Sequence, residues 1–159
     1  MIGRFLAFCA RLILSLRYRV HIEGLENILA KGNKGVLLLP NHPAYLDPVI
    51  LLAHFYPHLK PHTLGDKDNM AKPMVRWLVN CMGVKPIPDP ALYGEASFDE
   101  VIQVIQNCIE DLRRGENYML YPSGRIYLSR FEDLGANSAA QTILSQAFEV
   151  RAVLVRTTG

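Results

Sequence analysis

The sequence predicts an α/β layer protein with a central mixed sheet flanked by helices. Three observations carry that prediction. Short apolar runs bounded by Gly, Pro or polar residues recur along the chain: Val36–Leu39, Val84–Ile87, Tyr118–Tyr121 and Val150–Arg156. Such runs are too short for helices and read as buried strands. Between them lie segments with helical spacing, the clearest over 98–113, where Phe98, Val101, Ile102, Ile105, Ile109 and Leu112 keep a 3.6-residue period. Half of the 159 residues are hydrophobic, enough for the core of one domain.

In chain order, residues 2–17 form an apolar helix with sparse basic residues. Phe5, Phe8, Leu12 and Leu16 line one face, and Arg4, Arg11 and Ser15 lie near another. The uncharged run Phe5–Ala10 is too short to span a bilayer or to be a secretory signal. Two readings fit: a helix lying in a membrane interface with arginines at the headgroups, or an ordinary amphipathic helix packed on the domain. The chain therefore divides into an amphipathic N-terminal helix, 1–17, and a main domain, 18–159. That domain ends just after a core strand and is expected to be truncated at its C-terminus.

Within the main domain, Tyr18–Ile22 reads as a short strand, and Gly24 to Gly35 reads as irregular. Val36–Leu39 is a buried strand. Leu46–Phe55 reads as a helix with Asp47 and Pro48 in its first turn, where both types are favoured. Thr63–Gly65 is a short strand, and Met74–Cys81 is a helix carrying the single Trp, Trp77. Val84–Ile87 is a strand between Gly83 and the Pro88-Asp89-Pro90 turn. Ser97 and Glu100 make a capping box for helix 98–113, and Gly115 fits its C-terminal side. Tyr118–Tyr121 is a strand, 138–148 a helix, and Val150–Arg156 the last strand.

Composition excludes several function classes. Net charge is +2, with no Lys/Arg block and no basic-aromatic interleaving, so no nucleic-acid partner is implied. Cys9, Cys81 and Cys108 form no CxxC and suit a reducing cytoplasm. His54, His58 and His62 stand four apart, but Pro57 and Pro61 are expected to break the helix that would align them, and no full ligand set accompanies them. No metal site is expected.

The chemistry-bearing block is Pro40-Asn41-His42-Pro43-Ala44-Tyr45-Leu46-Asp47. It stands where the strand Val36–Leu39 ends, and ligands in α/β proteins gather at such ends. A neutral His42 imidazole can take a proton from a hydroxyl near pH 7. A turn into a helix near Leu46 lets Asp47 reach back to orient it and stabilise the imidazolium. Ser123-Gly124-Arg125 is a second candidate at another strand end. There Gly lets backbone amides approach an oxygen, and the Arg125 fork suits a phosphate. Lys85 is a third candidate, as a phosphate partner or a solvated edge lysine.

Asn41-His42-(four residues)-Asp47 resembles the NHxxxxD motif of the glycerolipid acyltransferases. Gly83–Asp89 sits where a G-x-x-F-I-x-R segment is expected, Tyr121–Arg125 where F-P-E-G-T-R is expected, and Val153-Leu154-Val155 resembles the strand that opens the last motif. The resemblance runs from about residue 20 to the C-terminus. The pattern also departs from the family. Ser123 stands at the glutamate of the third motif, Arg125 and Ile126 at its threonine and arginine, and Asp89 at the arginine of the second.

The resemblance implies a glycerolipid-acyltransferase-like fold. The implied activity moves a fatty acyl group from an acyl thioester, on acyl carrier protein or coenzyme A, to a lysophospholipid or glycerol phosphate hydroxyl. His42 and Asp47 would be catalytic. Ser123, Gly124, Arg125 and Lys85 would bind substrate, with amides near Gly124 at the oxyanion. No cofactor is implied, and the work would be done at the cytoplasmic face of a membrane. The departures are similar to those in the acyltransferase halves of bacterial proteins that also carry an acyl-carrier-protein synthetase. Two other functions fit the same residues: a non-catalytic lipid-binding module that docks a partner enzyme, and a Ser123-dependent lipid hydrolase. The hydrolase would lack the G-x-S-x-G elbow.

Overall fold

The computed structural model describes residues 2–67, 81–88, 94–124, 126–127 and 138–158. Five strands form one sheet: β1 (Val36–Pro40), β2 (His62–Asp66), β3 (Val84–Ile87), β4 (Tyr118–Met119) and β5 (Arg151–Val155). Their order across the sheet is β3-β2-β4-β1-β5. Every described pairing is parallel. The α/β layers match expectation, but among the described residues the sheet is parallel rather than mixed. The crossovers that contain the helices 47–59, 98–113 and 138–146 each return the chain to the same end of the sheet, and that leaves parallel pairing for the strands they join.

The helices are α1 (Ile2–Ser15), α2 (Leu25–Ala30), α3 (Asp47–Leu59), α4 (Phe98–Arg113) and α5 (Ser138–Gln146). β1 is buried along its whole length, as a central strand covered on both faces must be. Its side chains alternate between two cores. Leu37 and Leu39 join Ile105, Cys108, Ile109 and Leu112 of α4 and Ile143 of α5. Val36 and Leu38 join Leu51, Leu52, Phe55 and Leu59 of α3. The α3 crossover carries the chain from β1 to β2 on one face. The α4 and α5 crossovers carry it the opposite way on the other face. β4 thereby inserts beside β1, and the loops leaving these two neighbours diverge. That is the crevice where open α/β sheets bind ligands.

Four local expectations are corrected. Tyr18–Ile22 is not a strand: the Tyr18 N–H still bonds back to the Leu14 carbonyl at 2.8 Å at the end of the first helix, and Tyr18 and Val20 stay exposed rather than joining the sheet. The Gly24–Gly35 segment contains α2, whose Leu25, Ile28 and Leu29 pack against the α3-side core. Pro57 does not break α3, which continues to Leu59; only its last turn follows the proline, so little helix is exposed to the lost hydrogen bond. Ser97 makes no capping box. It ends a 3₁₀ turn, Gly94–Ser97, and its hydroxyl donates to the Gly94 carbonyl at 2.8 Å, while Glu100 pairs with Lys67 at 2.9 Å. The expected helix Met74–Cys81, with Trp77, lies outside the described residues except for Cys81, which is helical, and Asp89 lies outside them too.

α1 packs on α3 and buries its small face, Gly3, Ala7 and Leu14. A Cβ on Gly3 would stand 2.5 Å from the Tyr56 ring, so this crossing needs a glycine or a shifted tyrosine. Ile2, Phe5, Phe8, Leu12, Ile13 and Leu16 all point outward, each more than half exposed. The helix is docked on the domain by one face, as the packing reading expects, and its large apolar face is bare. No helix among the described residues is long and apolar enough to cross a membrane.

Candidate active site

The loop that leaves β1 is fixed at its start. The Asn41 amide donates from Nδ2 to the Thr157 carbonyl at 3.1 Å, and its Oδ1 accepts the Thr157 N–H at 2.6 Å and the Thr157 hydroxyl at 3.0 Å. The Asn41 N–H adds a bond to the Val155 carbonyl at 3.2 Å. Asn41 therefore ties the exit of β1 to the exit of β5. His42 follows it directly, and its carbonyl accepts the Tyr127 N–H at 3.0 Å.

Four residues on, the chain turns into α3. The Asp47 carboxylate accepts the Ala44 N–H at 2.7 Å and closes that turn. Asp47 sits in the first turn of α3, where the helix dipole favours an anion. The geometry brings Asp47 Oδ2 to 3.6 Å from His42 Nδ1, with both side chains nearly buried. This is charge proximity rather than a hydrogen bond. His42 Nδ1 is buried and has no hydrogen-bond partner.

The segment after β4 lies against this loop. The Tyr121 ring stacks on the His42 imidazole with centroids 4.2 Å apart and planes at 29°. Its hydroxyl is buried and also has no partner. Burial, and then the Asp47 charge, push that phenol far above its ordinary range, so it stays protonated. Ser123 beyond it is 5% exposed, a poor position for a nucleophile. Gly124 adopts φ +64°, and its N–H donates to the Tyr121 carbonyl at 3.0 Å. The Gly124 amide expected at an oxyanion is thus already engaged in its own turn. Arg125 lies outside the described residues.

Lys85 is not brought to His42. It sits on β3, with β2 and β4 between it and β1. Its ammonium pairs with Asp111 in the last turn of α4 and lies 5.3 Å from the centre of the Tyr118 ring. A cavity of about 330 Å³, lined by Lys31, Lys34, Arg113 and Arg151, opens at the N-terminal end of β1 and contains none of these groups. No group of three or more potential metal ligands occurs among the described residues.

A buried His-Asp pair at the carboxyl end of a central parallel strand suits proton abstraction from a hydroxyl. The profile of the family described as Acyltransferase matches residues 19–150. The chain belongs to the Acyltransferase family. No curated protein matches this acyltransferase-family chain. Among solved structures it is similar to the 1-acyl-sn-glycerophosphate (LPA) acyltransferase PlsC from Thermotoga maritima, at 16% identity and TM-score 0.70. The match covers 94% of this chain and 55% of the PlsC chain, so the present acyltransferase-family chain spans about half of the PlsC length. At this identity the likeness speaks to the fold, and it agrees with a glycerolipid-acyltransferase-like architecture.

Sequence reasoning missed two contributors to this acyltransferase-family site. Asn41 was read as part of a motif, not as the clamp to Thr157. Tyr121 was read as a strand residue and as the start of the third motif segment, not as a neighbour of His42. Its nearness to His42 comes from β4 lying beside β1, which no local pattern reveals.

Proposed function

We propose that this chain transfers a fatty acyl group from an acyl thioester, on acyl carrier protein or coenzyme A, to the hydroxyl of a lysophospholipid or glycerol phosphate. The observation that carries the proposal is the nearly buried His42, with Asp47 at 3.6 Å, at the C-terminal end of β1. His42 Nε2 takes the acceptor's hydroxyl proton, and the oxygen attacks the thioester carbonyl. Collapse of the tetrahedral intermediate expels the thiol, which recovers the proton from His42. Asp47 stabilises the transient imidazolium through space. Arg125, just beyond the Ser123-Gly124 turn at a strand end, is assigned to the acceptor phosphate by its bidentate fork, although it stands at the third motif's threonine. These steps call on no metal or organic cofactor. The carrier is a substrate, and the acceptor of PlsC, a 1-acyl-sn-glycerophosphate, falls within the proposed class.

The exposed apolar face of α1 supports work on a membrane surface, and the cytoplasmic face fits the free cysteines. Changing Phe5, Phe8 and Leu12 together to Ser should cut co-sedimentation with anionic vesicles while leaving the melting temperature within a few degrees. Unchanged binding would make α1 a packing element only.

The function is tested by incubating the protein with labelled acyl-carrier-protein and coenzyme A thioesters and a panel of lyso-acceptors. Label in a diacyl product is the expected result. Free fatty acid alone would favour the hydrolase. Lipid binding without turnover would favour the docking module.

A further inference from the structure

Orientation of the base needs an agent, and Asp47 does not supply it by a hydrogen bond. The 3.6 Å gap is too long for one, and the Ala44 N–H at 2.7 Å fixes the Asp47 oxygen at that distance. His42 Nδ1 is left buried and unpaired. What touches the imidazole face is a phenol ring. We propose that Tyr121 is the positioning residue of His42, its stacked ring setting the imidazole plane in which Nε2 meets the acceptor hydroxyl. The proposal rests on the reading of His42 as the general base.

The backbones of both residues are already held by one short segment. Gly124 N–H binds the Tyr121 carbonyl and Tyr127 N–H binds the His42 carbonyl, each at 3.0 Å. The side-chain freedom that remains to His42 is rotation about Cα–Cβ, with its staggered wells, and about Cβ–Cγ, a broad torsion with no sharp wells of its own. A flat partner at 4.2 Å and 29° restricts that rotation, whereas an aliphatic side chain would not. The Tyr121 ring is anchored in turn, because it packs on the core formed by Val36, Leu38 and α3. Its hydroxyl plays no part in the stacking. Buried and unpartnered, it carries a desolvation penalty that a phenylalanine would avoid.

Two substitutions separate ring from hydroxyl. Tyr121→Phe keeps the ring, so kcat should stay within about twofold and the melting temperature should rise. Tyr121→Leu removes the flat face, so kcat should fall by about tenfold or more with KM little changed, as expected for a misdirected base. Imidazole NMR gives a readout free of activity: the His42 ring signals should be unchanged in Tyr121→Phe and broadened or shifted in Tyr121→Leu. If Tyr121→Phe loses as much kcat as Tyr121→Leu, the hydroxyl matters and the stacking role is wrong. If Tyr121→Leu retains kcat and the His42 signals, Tyr121 is not a positioning residue. Should Tyr121→Leu fail to fold, Tyr121→Phe still decides between ring and hydroxyl. A fully active His42→Ala would instead overturn the general-base reading itself.

Discussion

β4 bears one tyrosine at its start and another just past its end, and their surroundings differ in kind. The Tyr118 hydroxyl donates to Asp111 at 2.7 Å, and the same carboxylate takes Lys85 and, at 2.7 Å, Arg114. Every oxygen of that cluster is used. The Tyr121 hydroxyl has no partner, the His42 Nδ1 beside it has none, and Asp47 stands 3.6 Å off. Each cluster joins an aspartate, a tyrosine and a basic group. The saturated one stabilises the start of the strand. The unsaturated one surrounds the proposed base, with His42 Nδ1 and the neighbouring phenol oxygen both buried and unbonded. Local saturation of polar groups, more than their identity, separates the two clusters.

The largest test of this contrast exchanges loss of rate for loss of stability. His42→Ala should lower acyl transfer by about 10²–10⁴-fold and move the melting temperature little. Asp111→Ala should do the reverse. It leaves Lys85 and Tyr118 without their acceptor, at a cost of about 2 kcal/mol, less than for a fully buried pair because Lys85 is partly exposed. kcat per folded molecule should stay unchanged, measured with active-site titration against a denaturant curve. A large rate loss in Asp111→Ala would mean that the two ends of β4 are coupled.

Acid should act on the saturated cluster first. Burial pushes the Asp111 carboxyl up, but hydrogen bonds from Lys85, Tyr118 and Arg114 outweigh it and hold the pKa at about 2, below the ordinary 3.8. A depressed folded-state pKa means stability that is present above the unfolded value and lost as pH falls through the folded one. Asp111 should therefore contribute about 2 kcal/mol above pH 4, draining away between about pH 4 and pH 2. Thermal melts across that window should steepen in the wild type and flatten in Asp111→Asn. Equal slopes would remove Asp111 from the acid response.

The same chemical change at the two tyrosines should have opposite signs. Tyr118→Phe deletes a bonded hydroxyl and leaves Asp111 short of a donor, costing about 1–2 kcal/mol. Tyr121→Phe deletes an unpaired one and should stabilise by about 1 kcal/mol. Two losses of similar size, read from urea midpoints, would show that the Tyr121 hydroxyl is paired in solution and would erase the contrast.

What the sequence revealed follows the same line between local and distant. The period of Phe98, Val101, Ile102, Ile105, Ile109 and Leu112 is local, and α4 spans Phe98–Arg113. The His42–Asp47 spacing is local too, since one strand end and one helix start bring the pair together. Lys85 was ambiguous because its partner, Asp111, arrives with the packing of α4. Tyr121 stayed hidden because its neighbour depends on strand order. The strand reading of Tyr18–Ile22 misled because a short local run does not say whether the segment packs on the sheet, and Tyr18 and Val20 are exposed. α2 is six residues long, too short for a period to register.

The smallest effect is expected at Asn41, and a second asparagine calibrates it. Asn117, at the N-terminal end of β4, is 6% exposed and fully bonded. Its Oδ1 accepts the Val36 N–H at 2.8 Å, and its Nδ2 donates to the Asn33 and Leu59 carbonyls at 2.8 and 2.6 Å. Asn117→Ala buries those groups unpaired and should cost about 2–3 kcal/mol with kcat unaffected. Asn41→Ala frees Thr157, which is only partly buried and can turn to water. The cost should be about 1 kcal/mol, or roughly 2–4 °C in a chain of this size. The rate should nevertheless fall several-fold, because Asn41 is the fixed end of the loop that presents His42, and a small displacement of a base costs more in rate than in stability. Calorimetry and initial rates on the two variants give four numbers. If Asn41→Ala lowers the melting temperature as much as Asn117→Ala and leaves the rate intact, the clamp between β1 and β5 serves the fold alone, and the loop is held in register by Ala44, Asp47 and Tyr127 without it.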